Sequence, residues 1–216
     1  MITIETIRIK VRSLYINITA NLRGKKIKNK DITIISNNCW SGFIYQSYNL
    51  KYNSPTIGLF FMPDDYIKFL KDIKKWIYEP IEFIDSHNSK YYSYYKEWNK
   101  FGKYPIGKFK NSDIEIHFLH YVDKEDAVRC WDRRVKRINW NKILYKFNDQ
   151  NLCTNNHIKE FCNLEYKNKI CFTHKEYRDP CVKYIKIPKK YSEIQTSYEP
   201  FGRSTIININ EIINNL

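Results

Sequence analysis

Polar side chains that could do chemistry follow the apolar, β-branched runs of this chain. Cys39 stands in the turn Ser36–Gly42, directly after the run Ile32–Ile35, and His120 ends the run Ile114–His120. A thiol at the start of a helix is favoured as the thiolate, and a nearby imidazole can serve as its base. We therefore predict Cys39 as a nucleophile and His120 as its base. The alternatives are an inert buried cysteine and a turn whose backbone N–H groups hold an anion.

A second set of polar residues follows the later runs Ile143–Phe147 and Lys169–Thr173. Asp149 is predicted to orient His120 or to act as a base itself. The predicted ligands for substrate hydroxyls or an oxyanion are amide, hydroxyl and imidazole side chains: Asn37, Asn38, Ser41, Asn148, Asn151 and His174. The alternative is that Asp and Asn after a strand are ordinary turn and N-cap residues.

Arginines concentrate on one predicted helix, from about Lys124 to Ile138. Arg133, Arg134 and Arg137 are candidates for phosphate binding, because the planar guanidinium matches phosphate geometry. A solvated basic helix face is the alternative.

Metal binding is not predicted. The six cysteines show no C-x-x-C spacing and the five histidines show no H-x-x-x-H pattern, which are the usual spacings of zinc sites. Charged residues near Met1 interrupt any secretory signal, so we expect reduced thiols in a cytoplasmic protein. No apolar run is long enough to span a membrane.

The elements that must position these residues alternate between strand and helix. Strands are predicted at Ile32–Ile35, Thr56–Phe61, Glu82–Ile84, Ile114–His120, Ile143–Phe147, Lys169–Thr173 and Val182–Ile185. Helices are predicted at Phe43–Leu50, from Pro63, at Lys124–Ile138 and at Asn155–Leu164, with a small terminal element at Ile206–Leu216. Residues 86–110 are polar and rich in Tyr, and an irregular surface excursion is expected there.

This alternation predicts a single α/β domain at residues 31–216, with three Rossmann-like layers and a mostly parallel sheet covered by helices on both faces. Ligands of such sheets bind outside the carboxyl ends of the strands. We therefore expect the polar turns to share one edge.

Residues 1–30 form a predicted amphipathic, basic N-terminal segment. Apolar residues recur at helical spacing from Ile4 to Leu22, although Ile7–Arg12 also alternates like a strand. Lysines follow in Gly24–Lys30, and the whole chain carries a net charge of +14. Such a segment could lie on an anionic membrane or dock on its own domain. Because the strands begin at Ile32, removal of this segment is expected to leave the domain folded.

Nucleic acid is not a predicted partner, since no recognised binding motif accompanies the charge.

Several long blocks of the chain resemble the bacterial exopolysaccharide-biosynthesis proteins grouped as domain of unknown function 1919. The blocks are ITIISNNCWSGFIYQ, YNSPTIGLFFMPDDYIKFL, YPIGKF, IEIHFLHY, RRVKRINW and KFNDQNLCT. The resemblance runs from Asp31 to Ile187 and implies a role in making a surface glycan. The pair Asn38-Cys39 is also similar to a turn in a capsule acetyltransferase group that binds coenzyme A, although Trp40 stands where that group has a polar residue.

Together these features predict a tailoring transferase of surface-polysaccharide biosynthesis, of the O-acyltransferase type. Its donor would be acetyl-coenzyme A, its acceptor a sugar or lipid-linked glycan precursor, and no cofactor would be bound tightly. One alternative is a sugar- or phosphate-transferring enzyme of the same pathway that forms no covalent Cys39 intermediate. Another is a non-catalytic, membrane-peripheral assembly subunit.

Overall fold

The computed structural model describes residues 4–195, 199–200 and 204–216. Its helices are α1 (Ile4–Gly24), α2 (Trp40–Ser47), α3 (Pro63–Lys71), α4 (Ile73–Trp76), α5 (Tyr92–Tyr95), α6 (Lys124–Val135), α7 (Asn155–Asn163) and α8 (Ile209–Asn214). Its strands are β1 (Thr33–Ser36), β2 (Ile81–Ile84), β3 (Ile106–Phe109), β4 (Glu115–His117), β5 (Ile143–Asn148), β6 (Lys169–Thr173) and β7 (Val182–Tyr184).

A four-stranded parallel sheet in the order β1-β5-β6-β7 forms the centre of the domain. Successive side chains of a strand point to opposite faces, and each face here has its own core. Ile34 and Leu144 pack with α2 and α8 on one face. Ile35 and Phe147 pack with α3, α6 and α7 on the other. The predicted single α/β domain with helices on both faces is confirmed.

The predicted mostly parallel sheet is confirmed in part: the four central strands are parallel, but β2, β3 and β4 form a separate antiparallel sheet. The predicted strand Thr56–Phe61 is absent as well. That segment runs mainly as turns, with Gly58 at a φ of +76°, and Phe60 pairs with His117 through an isolated bridge. Its residues are buried between the two sheets without joining a ladder. An apolar run predicts burial, but it does not specify the strand partner.

Residues 86–110 do not form the irregular surface excursion that we predicted. They contain a 3-10 turn at Ser86–Asn88, α5 and β3. Tyr95, Tyr104 and Ile106 are buried with Phe60 in a third, mainly aromatic cluster. This cluster stands beside the carboxyl ends of the parallel strands and contributes to the site described below.

The predicted N-terminal helix is confirmed as α1, while the first three residues of the predicted segment lie outside the described residues. Its carboxyl-terminal half packs on α2, where Arg23 Nε donates to the carbonyl of Ser47 at 2.7 Å. Ile27 is buried in the core shared with α2 and α8. In the part of the chain that the structure describes, no helix combines the length and apolar character needed to cross a bilayer.

Candidate active site

The turns after β1 and β5 meet at the carboxyl edge of the parallel sheet, because these strands are neighbours. Asn37 Nδ2 donates to Asn148 Oδ1 at 2.8 Å, and Asn38 Nδ2 donates to Gln150 Oε1 at 3.1 Å. Four amide side chains thus form a hydrogen-bonded layer across the strand ends. Of this layer, Asn37, Asn38 and Asn148 were predicted as site residues, and the structure brings them together.

Asp149 pairs with His174 at the ends of β5 and β6. Its Oδ2 accepts hydrogen bonds from Thr173 Oγ1 at 2.6 Å and from the backbone N–H of His174 at 2.8 Å. His174 Nδ1 lies 2.6 Å from the same oxygen. A carboxylate at Nδ1 fixes the tautomer that carries a proton there and leaves Nε2 as an acceptor. We predicted that Asp149 orients His120, but the histidine in contact with Asp149 is His174.

A cavity of about 520 Å³ lies over this edge of the sheet. One wall is aromatic and consists of Phe60, Tyr94, Tyr95 and Trp98. The polar part of the lining consists of Asn38, Gln150, Asn151, Glu193 and Gln195. Cys39 and Leu119 complete the lining. No lysine or arginine lines the cavity in the described parts of the chain.

Glu193 is the carboxylate of this cavity, and sequence reasoning missed it. Its Oε2 accepts the backbone N–H of Asn151 at 2.8 Å, and Asn151 itself adopts a φ of +54°. Burial raises the pKa of Glu193, and the nearby charge of Asp149 adds to the rise. A carboxylate with a raised pKa is a stronger base, which suits it to take a proton from a hydroxyl group.

Cys39 borders the cavity, but its surroundings disfavour the thiolate. Burial raises the pKa of the Cys39 thiol to about 12, and the charge of Glu199 acts in the same direction. Its Sγ lies 3.9 Å from the carbonyl of Leu59. The sequence predicted the opposite direction, a pKa lowered by the start of α2. A helix does begin at Trp40, but it has only eight residues. The effect of burial on the pKa of the thiol outweighs that of the helix start.

His120 lies outside the parallel sheet, after the end of β4. Its backbone N–H donates to the carbonyl of Gly58 at 2.9 Å. Its side chain is exposed to solvent, and partial desolvation together with the charge of Lys100 lowers its pKa. Within the described residues it forms no hydrogen bond with Cys39 or Asp149. The neighbouring Leu119, rather than His120, lines the cavity.

A buried ion pair contacts Asn38 of the cavity lining. Lys146, in the middle of β5, is fully buried and forms an ion pair with the equally buried Glu199. Lys146 Nζ also donates to Asn38 Oδ1 at 2.9 Å, and Asn38 Nδ2 donates to Glu199 Oε2 at 3.1 Å. The rings of Trp40 and Phe172 lie 5.7 and 5.8 Å from Nζ. The pair therefore fixes the orientation of Asn38, which lines the cavity above it.

The three arginines predicted to bind phosphate do not lie in one site. Arg134 is buried, where it contacts the Tyr121 hydroxyl and donates to the carbonyl of Ile57 at 3.2 Å. Arg133 and Arg137 line a different groove, of about 610 Å³, together with Asn17 and Asn21 of α1. Phosphate binding by Arg133 and Arg137 stays a prediction, and these residues do not line the aromatic cavity. Ser41, predicted to bind substrate, is buried beneath the strand ends rather than in the cavity.

A group of side chains with metal-ligand chemistry lies away from the cavity. The ligand atoms of Cys162, Asp179 and Cys181 lie within 4.8 Å of one another. The two sulfurs are 2.9 Å apart, and the hydrogen bond with Cys181 lowers the pKa of the Cys162 thiol. The sequence spacing did not suggest this group, because the two cysteines are 19 positions apart in the chain.

The family model described as domain of unknown function 1919 matches residues 10–211. The chain belongs to this family. A protein of Haemophilus influenzae (strain ATCC 51907 / DSM 11121 / KW20 / Rd), described as an uncharacterized protein, is 31% identical over 181 residues. The aligned region covers 82% of this chain and 79% of that relative. In this member of the family, the match to the family model extends over the parallel sheet, the cavity and most of α1.

The thiols of this family member are expected to react in an order set by their environments. Because the pKa of Cys39 is raised to about 12 and that of Cys162 is lowered, iodoacetamide at neutral pH should modify Cys162 well before Cys39. Peptide mass spectrometry over a time course measures both rates in one sample. Faster modification of Cys39 would restore the nucleophile hypothesis.

Proposed function

We propose that the cavity binds a neutral saccharide and that the protein transfers a group to one of its hydroxyls during bacterial surface-polysaccharide biosynthesis. The observation that supports this is a cavity lined both by a cluster of aromatic rings and by a set of amides with a carboxylate. The C–H face of a sugar ring packs on aromatic side chains, while its hydroxyls exchange hydrogen bonds with amides and carboxylates. Without basic residues in the described lining, the cavity suits an uncharged acceptor better than a phosphorylated donor.

The aromatic wall is held rigidly, which favours a binding role. Phe60 packs edge-to-face on Tyr95 and Trp98, with ring centroids 5.9 and 6.4 Å apart, and Tyr95 lies 5.5 Å from Trp98. Rings that are fixed before binding lose little conformational freedom when a ligand arrives. Tyr94 extends the wall and is 43% exposed at its rim.

In this proposal Glu193 is the general base. Its carboxylate takes the proton of a sugar hydroxyl while that oxygen attacks the electrophilic atom of an activated donor, and the donor's leaving group departs with the bonding electron pair. The Asn151 N–H holds the carboxylate in place, and the amides of Gln150 and Gln195 are positioned to hold the neighbouring hydroxyls. His174, oriented by Asp149, is a second acid–base group at the same sheet edge.

The environment of Cys39 favours direct transfer over a covalent intermediate. A thiol with a pKa of about 12 is almost wholly protonated at neutral pH, so it is a poor nucleophile. Acetyl-coenzyme A is one donor class that fits, provided that the hydroxyl attacks the thioester directly. A nucleotide-linked sugar is the other donor class. In either case Cys39→Ala should leave glycan modification in cells intact.

Saccharide binding can be tested by ligand-observed NMR with a panel of neutral methyl glycosides. Trp98→Ala is expected to weaken binding roughly tenfold or more, as removal of a central aromatic anchor does. Glu193→Gln should retain binding and lower glycan modification in cells by about 10²-fold or more, the contribution typical of a general base. Tyr78→Ala and Glu82→Gln, both on exposed positions elsewhere, are the matched controls.

Two results would overturn the proposal. Absence of binding to the whole panel would remove the saccharide site. Binding that is unaffected by Trp98→Ala would place the saccharide elsewhere on the protein. If binding persists in Glu193→Gln and modification does too, the base is another group, and His174→Gln then becomes the informative variant.

A further inference from the structure

Helix α1 exposes a continuous apolar stripe. Val11, Leu14, Tyr15, Ile18 and Leu22 are each 61–70% exposed. Their spacings of three, one, three and four residues place them on one side of an α-helix, since each residue advances the helix by about 100°. Isolated exposed apolar residues are ordinary, but a contiguous row of five on one helix indicates an interaction surface.

The opposite side of α1 is anchored to the domain, so the stripe faces outward. Ala20 is buried, and Arg23 Nε donates to the carbonyl of Ser47 at 2.7 Å. Asn49 Nδ2 donates to Asn21 Oδ1 at 2.6 Å. Ala20 lies about half a turn from Ile18 and Leu22 around the helix. The stripe therefore cannot turn inward without breaking these contacts.

Lysines continue the surface at the end of the helix. Lys25, Lys26, Lys28 and Lys30 are all exposed within six residues. The segment is held in place, because the backbone N–H of Lys28 donates to Asn214 Oδ1 at 2.7 Å. On the flank of α1, Arg133 and Arg137 add further positive charge along the groove that Asn17 and Asn21 line.

We propose that α1 docks the protein on an anionic phospholipid bilayer. The apolar stripe enters the boundary between headgroups and acyl chains, and the four lysines bind lipid phosphates. This combination of an apolar helix face with an adjacent basic run is what interfacial helices use. The charge favours a bilayer over a second copy of the chain paired in parallel through the stripe, since that pairing would bring the two lysine runs together. An antiparallel pair is distinguished by the measurement of oligomeric state below.

Sedimentation with vesicles tests the proposal on the full-length protein. The protein is expected to bind vesicles of phosphatidylcholine and phosphatidylglycerol more strongly than vesicles of phosphatidylcholine alone, and added salt should weaken this binding. Replacing all four lysines with glutamine should lower the affinity on the order of a hundredfold or more, since each lysine near an anionic surface contributes roughly a fivefold factor. Leu14→Gln with Ile18→Gln should abolish binding at the same lipid concentration.

Point substitutions are preferable to removing the segment, because Ile27 is part of the core. Val122→Gln with Tyr78→Gln is the matched apolar control, since both residues are at least 65% exposed elsewhere on the surface. Lysine-to-glutamine changes at four other exposed positions provide the charge control: Lys103, Lys110, Lys159 and Lys167. Both controls should bind as the unsubstituted protein does.

Three outcomes would overturn the proposal. The first is that anionic vesicles fail to retain the protein, and the second is that the stripe variant binds as well as its control. The third is a dimer in size-exclusion chromatography that Leu14→Gln with Ile18→Gln converts to a monomer, which would assign the stripe to a second copy. Saccharide binding in the cavity is measured without lipid, so failure here leaves the proposed function untouched.

Discussion

Lys146→Met is expected to lower the free energy of unfolding by about 3–5 kcal/mol at neutral pH, the cost of removing one partner of a buried ion pair. Lys146 and Glu199 are both fully buried. Without the ammonium group, the Glu199 carboxylate would stay in the core with Asn38 as its remaining described partner. Burial already raises the pKa of Glu199, and loss of Lys146 removes the main influence that opposes this rise.

The pH dependence of this variant has a definite sign. An acid whose pKa is raised in the folded state is more stable there when protonated, so its contribution is lost as the pH increases. The deficit of Lys146→Met should therefore be constant above the raised pKa of Glu199 and should shrink as the pH is lowered through that pKa toward the ordinary carboxyl pKa. Urea unfolding at several pH values measures this change.

A double variant separates loss of charge from loss of packing. Adding Glu199→Gln to Lys146→Met removes the uncompensated carboxylate and should recover most of the stability, while the new amide oxygen would still accept from Asn38 Nδ2.

Lys71→Met is the control. Lys71 forms a 2.6 Å ion pair with Glu160, but it is 56% exposed, so its removal should cost less than about 1 kcal/mol. An equal loss in Lys71→Met would contradict the burial argument.

Lys146→Met is also expected to weaken saccharide binding in the cavity. Lys146 Nζ donates to the Asn38 side-chain oxygen, and Asn38 donates to Gln150 in the polar wall. Lys146 is thus a positioning residue in the proposed function. Saccharide affinity should fall in Lys146→Met even below its unfolding temperature, because the amide that faces the sugar loses its orientation.

Local pattern was sufficient to predict the strands of the parallel sheet and the helices that cover it. Short strands such as Thr33–Ser36 and Lys169–Thr173 are buried on both faces apart from Lys169, and this burial is visible as apolar residues at consecutive positions, Ile34–Ile35 and Ile170–Phe172. Pairing was not predictable in the same way. The segment ending in His117 reads as a strong strand, but its antiparallel partner is β3, within a stretch that was expected to be irregular.

Site residues at the ends of parallel strands were predictable in this way, whereas those in the irregular part of the chain were not. Asn37 follows β1 and Asn148 ends its parallel neighbour β5, so the sheet topology alone brings the two side chains together. Glu193 and Glu199 lie after β7 and outside any helix or strand, and the position of Glu193 depends on tertiary contacts such as that of the neighbouring Ile194 N–H with Asp149 Oδ1 at 3.4 Å. No periodicity marks such a segment.

Two signals in the sequence point to the buried ion pair and to the aromatic cluster. A lysine inside an otherwise apolar strand, as Lys146 is between Tyr145 and Phe147, must be paired if the strand is central. The dense tyrosines and tryptophan of residues 91–98 are an unusual composition for a solvated excursion, and aromatic side chains of this number need a surface to pack on.

The domain is expected to lose stability in mild acid because of His117. This side chain is fully buried and stacked on Phe60 with ring centroids 4.5 Å apart. Burial lowers the pKa of His117 to about 3, and the charge of Lys90 acts in the same direction. Glu115 Oε2 lies 3.8 Å from Nε2, but this carboxylate already accepts hydrogen bonds from Ser89 Oγ at 2.6 Å and from the Lys90 N–H at 2.8 Å. Burial therefore dominates, and the ring is neutral in the folded state.

Between the ordinary histidine pKa of about 6.5 and the folded value, the unfolded chain binds a proton that the native state does not, so stability falls as the pH decreases. The expected loss between neutral pH and about pH 5 is about 2 kcal/mol from this residue, and it grows by about 1.4 kcal/mol for each further pH unit until the folded pKa is reached. Urea unfolding across this pH range measures the loss.

His117→Phe keeps a ring against Phe60 and removes the titration, so its stability should change less over the same pH range. The variant will be less stable at neutral pH, since the Tyr104 hydroxyl loses the ring nitrogen 3.3 Å away. The slope of stability with pH, rather than its absolute value, is therefore the quantity to compare. An unaltered slope in His117→Phe would mean that other groups cause the acid sensitivity.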